Sequence, residues 1–151
     1  MPRGERTLPA LCVDLCRRAD LIVHCGDFVS IAFWEQLSAL GPPVAGVHGN
    51  MDEPELKELL PKDRVIRVEE AYIGMVHIPG PRAGREARLR AKFPDCSAVV
   101  YGHTHIPDLT QDEGTWILNP GSPTEKRKSP GHAMLVLAVA GKQIAPKLVE
   151  L

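Results

Sequence analysis

The sequence predicts a layered α/β sandwich with a mixed sheet. Three observations carry that reading. Over the first two thirds of the chain, amphipathic helical stretches alternate with short apolar runs of strand length. The end of the chain is strand-rich, with an unbroken apolar run over Ala133–Ala140. The 13 glycines and 14 prolines fall between these runs as punctuation and form neither a linker nor a low-complexity tract.

Leu8, Leu11, Cys12 and Leu15 share one face of a short first helix, whose first turn tolerates Pro9. Leu21–Val23 suits a buried parallel strand. A second helix runs from about Ser30 to Leu40, with Ser30 as N-cap and Gly41-Pro42 as the stop. Val44–Val47 is the next strand, and Asp52 stands where it can either cap a short helix holding Leu56, Leu59 and Leu60, which Pro61 ends, or brace Asn50. Strands then fit Val65–Val68, Tyr72–His77, Ala98–Tyr101, Thr115–Leu118 and Ala133–Ala140, with a basic helix over Arg85–Lys92 between the second and third of these. Ile144–Val149 is a closing strand that Pro146 confines to an edge.

The beginning breaks this logic. A helix that feeds a buried parallel strand normally leaves from another strand of the same sheet, as half of a right-handed crossover. Here the helix starts within the first ten residues, and MPRGERT reads as a loop that should follow a strand. The expectation is one domain over residues 1–151, truncated before its first strand.

A formal charge of -1, from 18 Lys and Arg against 19 Asp and Glu, excludes a strongly basic domain that grips nucleic acid through its general field. No apolar run reaches the roughly 18 residues of a membrane span. The first ten residues carry charge but no apolar stretch, so no secretory signal is expected. Cys12, Cys16, Cys25 and Cys96 lack paired CxxC spacing and read as reduced, mostly buried thiols of a cytoplasmic protein.

The functional signal lies where polar residues fall. Each apolar strand breaks off into a short corner: His24-Cys25-Gly26-Asp27, His48-Gly49-Asn50-Met51-Asp52, His77, Gly102-His103-Thr104-His105 and Asn119-Pro120-Gly121-Ser122. In open α/β sheets ligands bind outside the carboxyl ends of strands. Imidazole nitrogens with carboxylate and amide oxygens suit divalent transition metals. His24 and His48 precede the corners and read as supports, and His132 as structural.

With these corners in order, GD, GN, His and GHTH, the chain resembles the calcineurin-like metallophosphoesterase superfamily, and within it the small bacterial and archaeal phosphodiesterase branch that includes the retromer subunit of this fold. The Asn119–Ser122 turn matches that branch too. The resemblance covers essentially the whole chain. It implies a four-layer α/β-β/α sandwich, lacking its first strand, with a dinuclear metal centre at the strand ends. By motif, Asp27 would bridge both metals, Asn50, His77 and His103 would complete the second site, and His105 would serve the first. The family pattern opens on a strand ending in Asp-x-His, which this chain does not contain. Ile78 stands where the family has a glycine after the third-motif histidine. Met51 stands where many broader-family members carry a proton-donating histidine.

The resemblance implies a divalent-metal-dependent phosphodiesterase in which a metal-bound hydroxide attacks phosphorus in line, impaired here by two missing ligands. A non-catalytic protein-binding module on a degenerate fold is the alternative. Mn²⁺ is the favoured ion, with Zn²⁺, Ni²⁺ or Fe also compatible. One tight site is expected in this chain and two in a full-length form. A small phosphate ester is the expected partner, with no membrane and no strong nucleic-acid binding, and homo-oligomerisation is left open. Arg82 reads either as a phosphate contact or as a solvated arginine.

Overall fold

The structure, a computed structural model, describes residues 7–151. The opening loop read from the sequence, apart from Thr7, lies outside the described residues. The first described element is a helix, α1 (Ala10–Arg18), followed by β1 (Ile22–His24), α2 (Ile31–Ser38), β2 (Val44–Gly46) and α3 (Pro54–Leu59). Next come β3 (Asp63–Val68), β4 (Ala71–Val76), α4 (Arg85–Lys92), β5 (Ala98–Tyr101), β6 (Asp108–Asp112) and β7 (Thr115–Asn119). The hairpin of β8 (Ala133–Ala140) and β9 (Gln143–Glu150) closes the chain.

Three sheets result: β1-β2 parallel, a mixed sheet in the order β3-β4-β5-β7-β6, and the antiparallel pair β8-β9. In the mixed sheet β4, β5 and β7 run parallel, and antiparallel β3 and β6 form its edges. Strand alternation sorts the side chains into layers. Val23 and Cys25, Ala45 and Val47, Ile73 and Met75, and Leu135 face a common core between the sheets. From the same strands Ile22, Val44 and Met134 face the other way, onto α1, α2 and α3. Val76, Val99, Tyr101 and Ile117 turn from the mixed sheet onto Leu89 and Phe93, at and just beyond α4. Helices, sheet, sheet and helix are therefore stacked in four layers, the sandwich expected from the sequence.

Four local readings are corrected. On α1 the buried stripe is Cys12 and Cys16, with half-buried Leu8 packed beside it from just before the helix, while Leu11 is exposed, because the helix turns its i, i+4 row to the core. Leu59 is likewise exposed. Asp52 does not cap α3, whose N-cap is Glu53 without a side-chain bond. Strand β6 was not foreseen, since Asp-Leu-Thr-Gln-Asp carries almost no apolar signal. It exists because Glu113 and Gly114, both at positive φ, fold the chain back onto β7 and leave a polar edge in solvent. Ser30 does cap α2, its hydroxyl accepting from Phe33 N–H, and Pro146 sits in an edge strand as expected.

Candidate metal centre

The parallel strands bring their carboxyl ends to one side, and there the corners meet. Asp27 follows β1, Asn50 follows β2, His77 follows β4 and His103 follows β5. Ligand atoms of Asp27, His77 and His103 lie within 4.8 Å of one another. Asn50 Oδ1 joins them, 3.0 Å from His77 Nε2 and 3.1 Å from His103 Nδ1.

Backbone geometry puts them there at a cost. Asp27, His103 and His105 all adopt the left-handed region, at φ of 59°, 68° and 61°, which is rare outside glycine. Such strain costs about 1–3 kcal/mol per residue and persists only where the surroundings hold it. Two glycines make the approach feasible. Gly26 has φ of 89° and lies against the His77 ring, and Gly49 is pressed so closely on the Asp27 side chain that a Cβ would occupy the same space.

Of the two roles the sequence left open for Asp52, helix cap or brace of the Asn50 corner, the structure shows the brace. It is buried, and its carboxylate accepts Gly49 N–H at 2.6 Å, Val29 N–H at 2.6 Å and Asp27 N–H at 3.2 Å. One side chain thus ties the Asp27 corner to the Asn50 corner. Asn119 does the same on the other sheet. Fully buried, it donates to Gly102 O and Thr104 Oγ1 and accepts Gly121 N–H, locking the Gly102–His105 corner to the turn after β7.

Electrostatics prepare these groups to receive a cation. His77 Nδ1 is 2.6 Å from the Cys25 carbonyl, which can only accept, so Nδ1 carries the proton and Nε2 presents its lone pair. Asn50 Oδ1 and Asp27 Oδ2, the latter at 3.3 Å, then meet Nε2 as further acceptors. A divalent ion resolves that crowding of lone pairs, and the mixed O and N donors fit it chemically. Burial acts to raise the Asp27 carboxyl, and the Met51 N–H donated to its Oδ1 at 2.8 Å acts the other way, favouring the carboxylate. Burial first, and His77 beside it second, lower His103 and keep its ring neutral. His105 is also lowered, chiefly by burial.

His105 lines the same cleft but stands outside the three-residue cluster, with Nδ1 on the Glu125 carbonyl at 2.6 Å. Arg82 is exposed. The basic group that does reach the corner is Arg127, whose Nη1 donates to the His103 carbonyl at 3.4 Å. Nothing in its sequence neighbourhood marked it, because its loop meets the site only through the fold. Met51, Ile78 and Ile106, each directly after a site residue, are exposed.

A family model described as the calcineurin-like phosphoesterase superfamily domain matches residues 4–142. A probable metallophosphoesterase of Methanocaldococcus jannaschii is 33% identical over 147 residues, covering 95% of this chain and 73% of the relative. Vps29 of Cryptosporidium parvum superposes with a TM-score of 0.84 at 23% identity, over 100% of this chain and 86% of that one. Wild-type Vps29 of Entamoeba histolytica complexed with Zn²⁺ gives 0.77 at 21%, over 99% and 93%. The two solved structures share the fold.

Proposed function

The chain belongs to the calcineurin-like phosphoesterase superfamily, and from that premise we propose that it hydrolyses a small phosphate ester, with a phosphodiester as first choice. Asp27, Asn50, His77 and His103 would hold one divalent ion tightly, and Asp27 with His105 would offer a second, weaker position. When bound, the ion supplies Lewis acidity toward a phosphoryl oxygen and lowers the pKa of water at its open position. The residues themselves do the rest. Cys25 O fixes the His77 tautomer, Asp52 holds the Asp27 and Asn50 corners at their separation, and Arg127 brings positive charge to the mouth. Manganese is the favoured ion. Zinc, nickel and iron suit the same donors, and a zinc-bound Vps29 of the same fold supports zinc as the first competitor.

The observation that carries this reading is the convergence of residues from four strand ends, with ligand atoms of Asp27, His77 and His103 within 4.8 Å of one another and Asn50 Oδ1 3.0 and 3.1 Å from the two imidazoles. Manganese-dependent hydrolysis of bis(p-nitrophenyl) phosphate tests it. Activity should vanish in His77→Ala and with chelator, and a rate indifferent to both would refute it. The four described cysteines are free and buried, which supports a reducing, cytoplasmic setting. Among the described residues no helix is long and apolar enough to cross a membrane.

The exposed Met51, Ile78 and Ile106 favour a second reading, in which the mouth of the site docks an apolar protein surface and the chain works as a binding module, on a second copy of itself or on another protein. Salt-insensitive association lost in Ile78→Ser and Ile106→Ser would support it.

A further inference from the structure

Among the described residues the mixed sheet ends in two edges, β3 and β6, and the two are built differently. Only Glu69 and Glu70 separate Val68 from Ala71, the closing pair of the β3-β4 hairpin, so that pair exchanges both of its backbone bonds. Bonded and non-bonded pairs alternate along an antiparallel ladder, so Ile66 and Arg64 also bond inward to β4. The N–H and C=O groups of Asp63, Val65 and Arg67 therefore point outward, and among the described residues they bond to no other backbone. The side chains of these three residues share the sheet face that carries α4. Val65 pairs with Gly74, against which Phe93 packs, and Lys92 reaches Asp63 at 2.8 Å. Val65 is nevertheless 51% exposed, and Tyr72, opposite Arg67 on the same face, is 43% exposed. The Arg67 guanidinium lies over the Tyr72 ring, 6.0 Å from its centroid. An edge strand with outward backbone groups and exposed apolar side chains is a template for a further strand.

Strand β3 is also complementary to itself. Turned antiparallel about Val65, a second copy sets Val65 against its own counterpart and Asp63 of each copy against Arg67 of the other. All of these are outward-bonding residues, so each pairing can exchange backbone bonds. The neighbouring registers lose the match. Rotation about Asp63 or Arg67 opposes like charges, and rotation about Arg64 or Ile66 sets a charged residue against Val65. Edge β6 has the opposite character, because turned about Thr110 it sets Asp108 of each copy against Asp112 of the other.

We propose that β3 is a self-association edge, through which two copies of this chain pair antiparallel about Val65 and join their five-stranded sheets into one. The ladder supplies the attachment and takes Val65 out of water, while the two Asp63–Arg67 pairs set the register. Lys92 stands behind Asp63 and Tyr72 behind Arg67 in each copy, so both ends of every pair are held in place. On the other face exposed Arg64 lays its aliphatic stem along Ile66 of the second copy. Asp63 pairs with Val76, directly before His77, so the two-fold turns the two metal centres toward opposite ends of the joint sheet. Pairing therefore needs neither a metal nor the exposed residues at the mouth of the site.

Sedimentation equilibrium of the full chain, stripped of metal with chelator, reads the association. The parent should reach twice the mass of one chain, and a chain still monomeric at about 1 mM overturns the self-association edge. Amide exchange over residues 63–67 should slow as protein concentration rises, and unslowed exchange there in a dimer overturns it as well. Asp63→Arg and Arg67→Asp each make both charge pairs repulsive, so each should weaken dimerisation at least about tenfold. The Asp63 side chain is 41% exposed and Arg67 is exposed, so the fold tolerates both changes. Mixed in equal amounts, the two variants restore opposite charges at both pairs of a heterodimer and should associate as tightly as the parent. Parent-like association of either variant alone, or a mixture no tighter than its components, overturns the register about Val65. A dimer lost in Ile78→Ser but kept in both charge variants belongs to the mouth of the site and overturns the β3 edge.

Discussion

Asp52 is the most informative residue to change. Its two oxygens accept three backbone N–H groups, Gly49 and Asp27 at one oxygen and Val29 at the other. Alanine leaves all three donors without that partner, in a pocket where Asp52 itself is only 4% exposed. At about 1–3 kcal/mol per unsatisfied buried donor, reduced where water enters beside half-buried Val29, the loss is about 3–6 kcal/mol. That is a large share of the roughly 5–15 kcal/mol that stabilises a domain. An asparagine side chain at this position can set its single carbonyl oxygen toward Gly49 and Asp27, leaving an NH₂ against Val29 N–H, so Asp52→Asn should cost about 1–3 kcal/mol. Urea unfolding of the parent and both variants reads these values, and manganese titration reads the site. Both variants should bind manganese more weakly, because the Asp27 and Asn50 corners are no longer tied. A parent-like Asp52→Ala, or an Asp52→Asn as damaged as Asp52→Ala, would refute the argument, the second because acceptor geometry would then count for nothing.

Three other outcomes are expected. Gly49→Ala drives a Cβ into the Asp27 side chain and backbone, so it should cost about 1–3 kcal/mol in urea and abolish tight metal binding by calorimetry. Elemental analysis after metal loading should find about one tight ion per chain, since a protein site needs roughly three ligands and Asp27 with His105 cannot supply them; two equally tight ions would reveal another ligand. Burial pushes His24 down to about 3, so the folded chain keeps it neutral while the unfolded chain protonates it below about pH 6.5. Stability should therefore fall by up to about 1.4 kcal/mol per pH unit from there toward pH 3. His24→Phe, which preserves the stack on Phe28 at 3.6 Å, should lessen that slope by one proton in urea titrations from pH 7.5 to 4.5, and an unchanged slope would assign it to other groups.

The site was legible in sequence because its residues follow their strands directly. A short apolar run that stops at Gly-Asp, Gly-Asn or Gly-His-Thr-His states both where the strand ends and what chemistry it presents there. Asp27, Asn50, His77 and His103 could be named for that reason. Asp52 was visible with two roles open, cap or brace, because a local rule, Asp before a short helix, competes with partners 25 residues away that only the folded corners bring close. Arg127 carried no local signal, and β6 carried the wrong one, its polar residues suiting an edge strand as well as a loop.

Side-chain period and residues adjacent in the chain were enough to establish the alternation of helix and strand, a layered α/β sandwich and the kinds of ligand atom offered, while the four-layer form followed from the family resemblance. Which ligand atoms meet is a matter of three-dimensional packing. Asp27 and Asn50 come from one sheet and His77 and His103 from another, and the distance between them is set by core packing, by the His77–Cys25 bond across the layers and by Asp52. Packing also decides that residues of β1 and β8 line one groove beside the site, since which strands come together is a property of neighbours and leaves no mark on the strand's own residues.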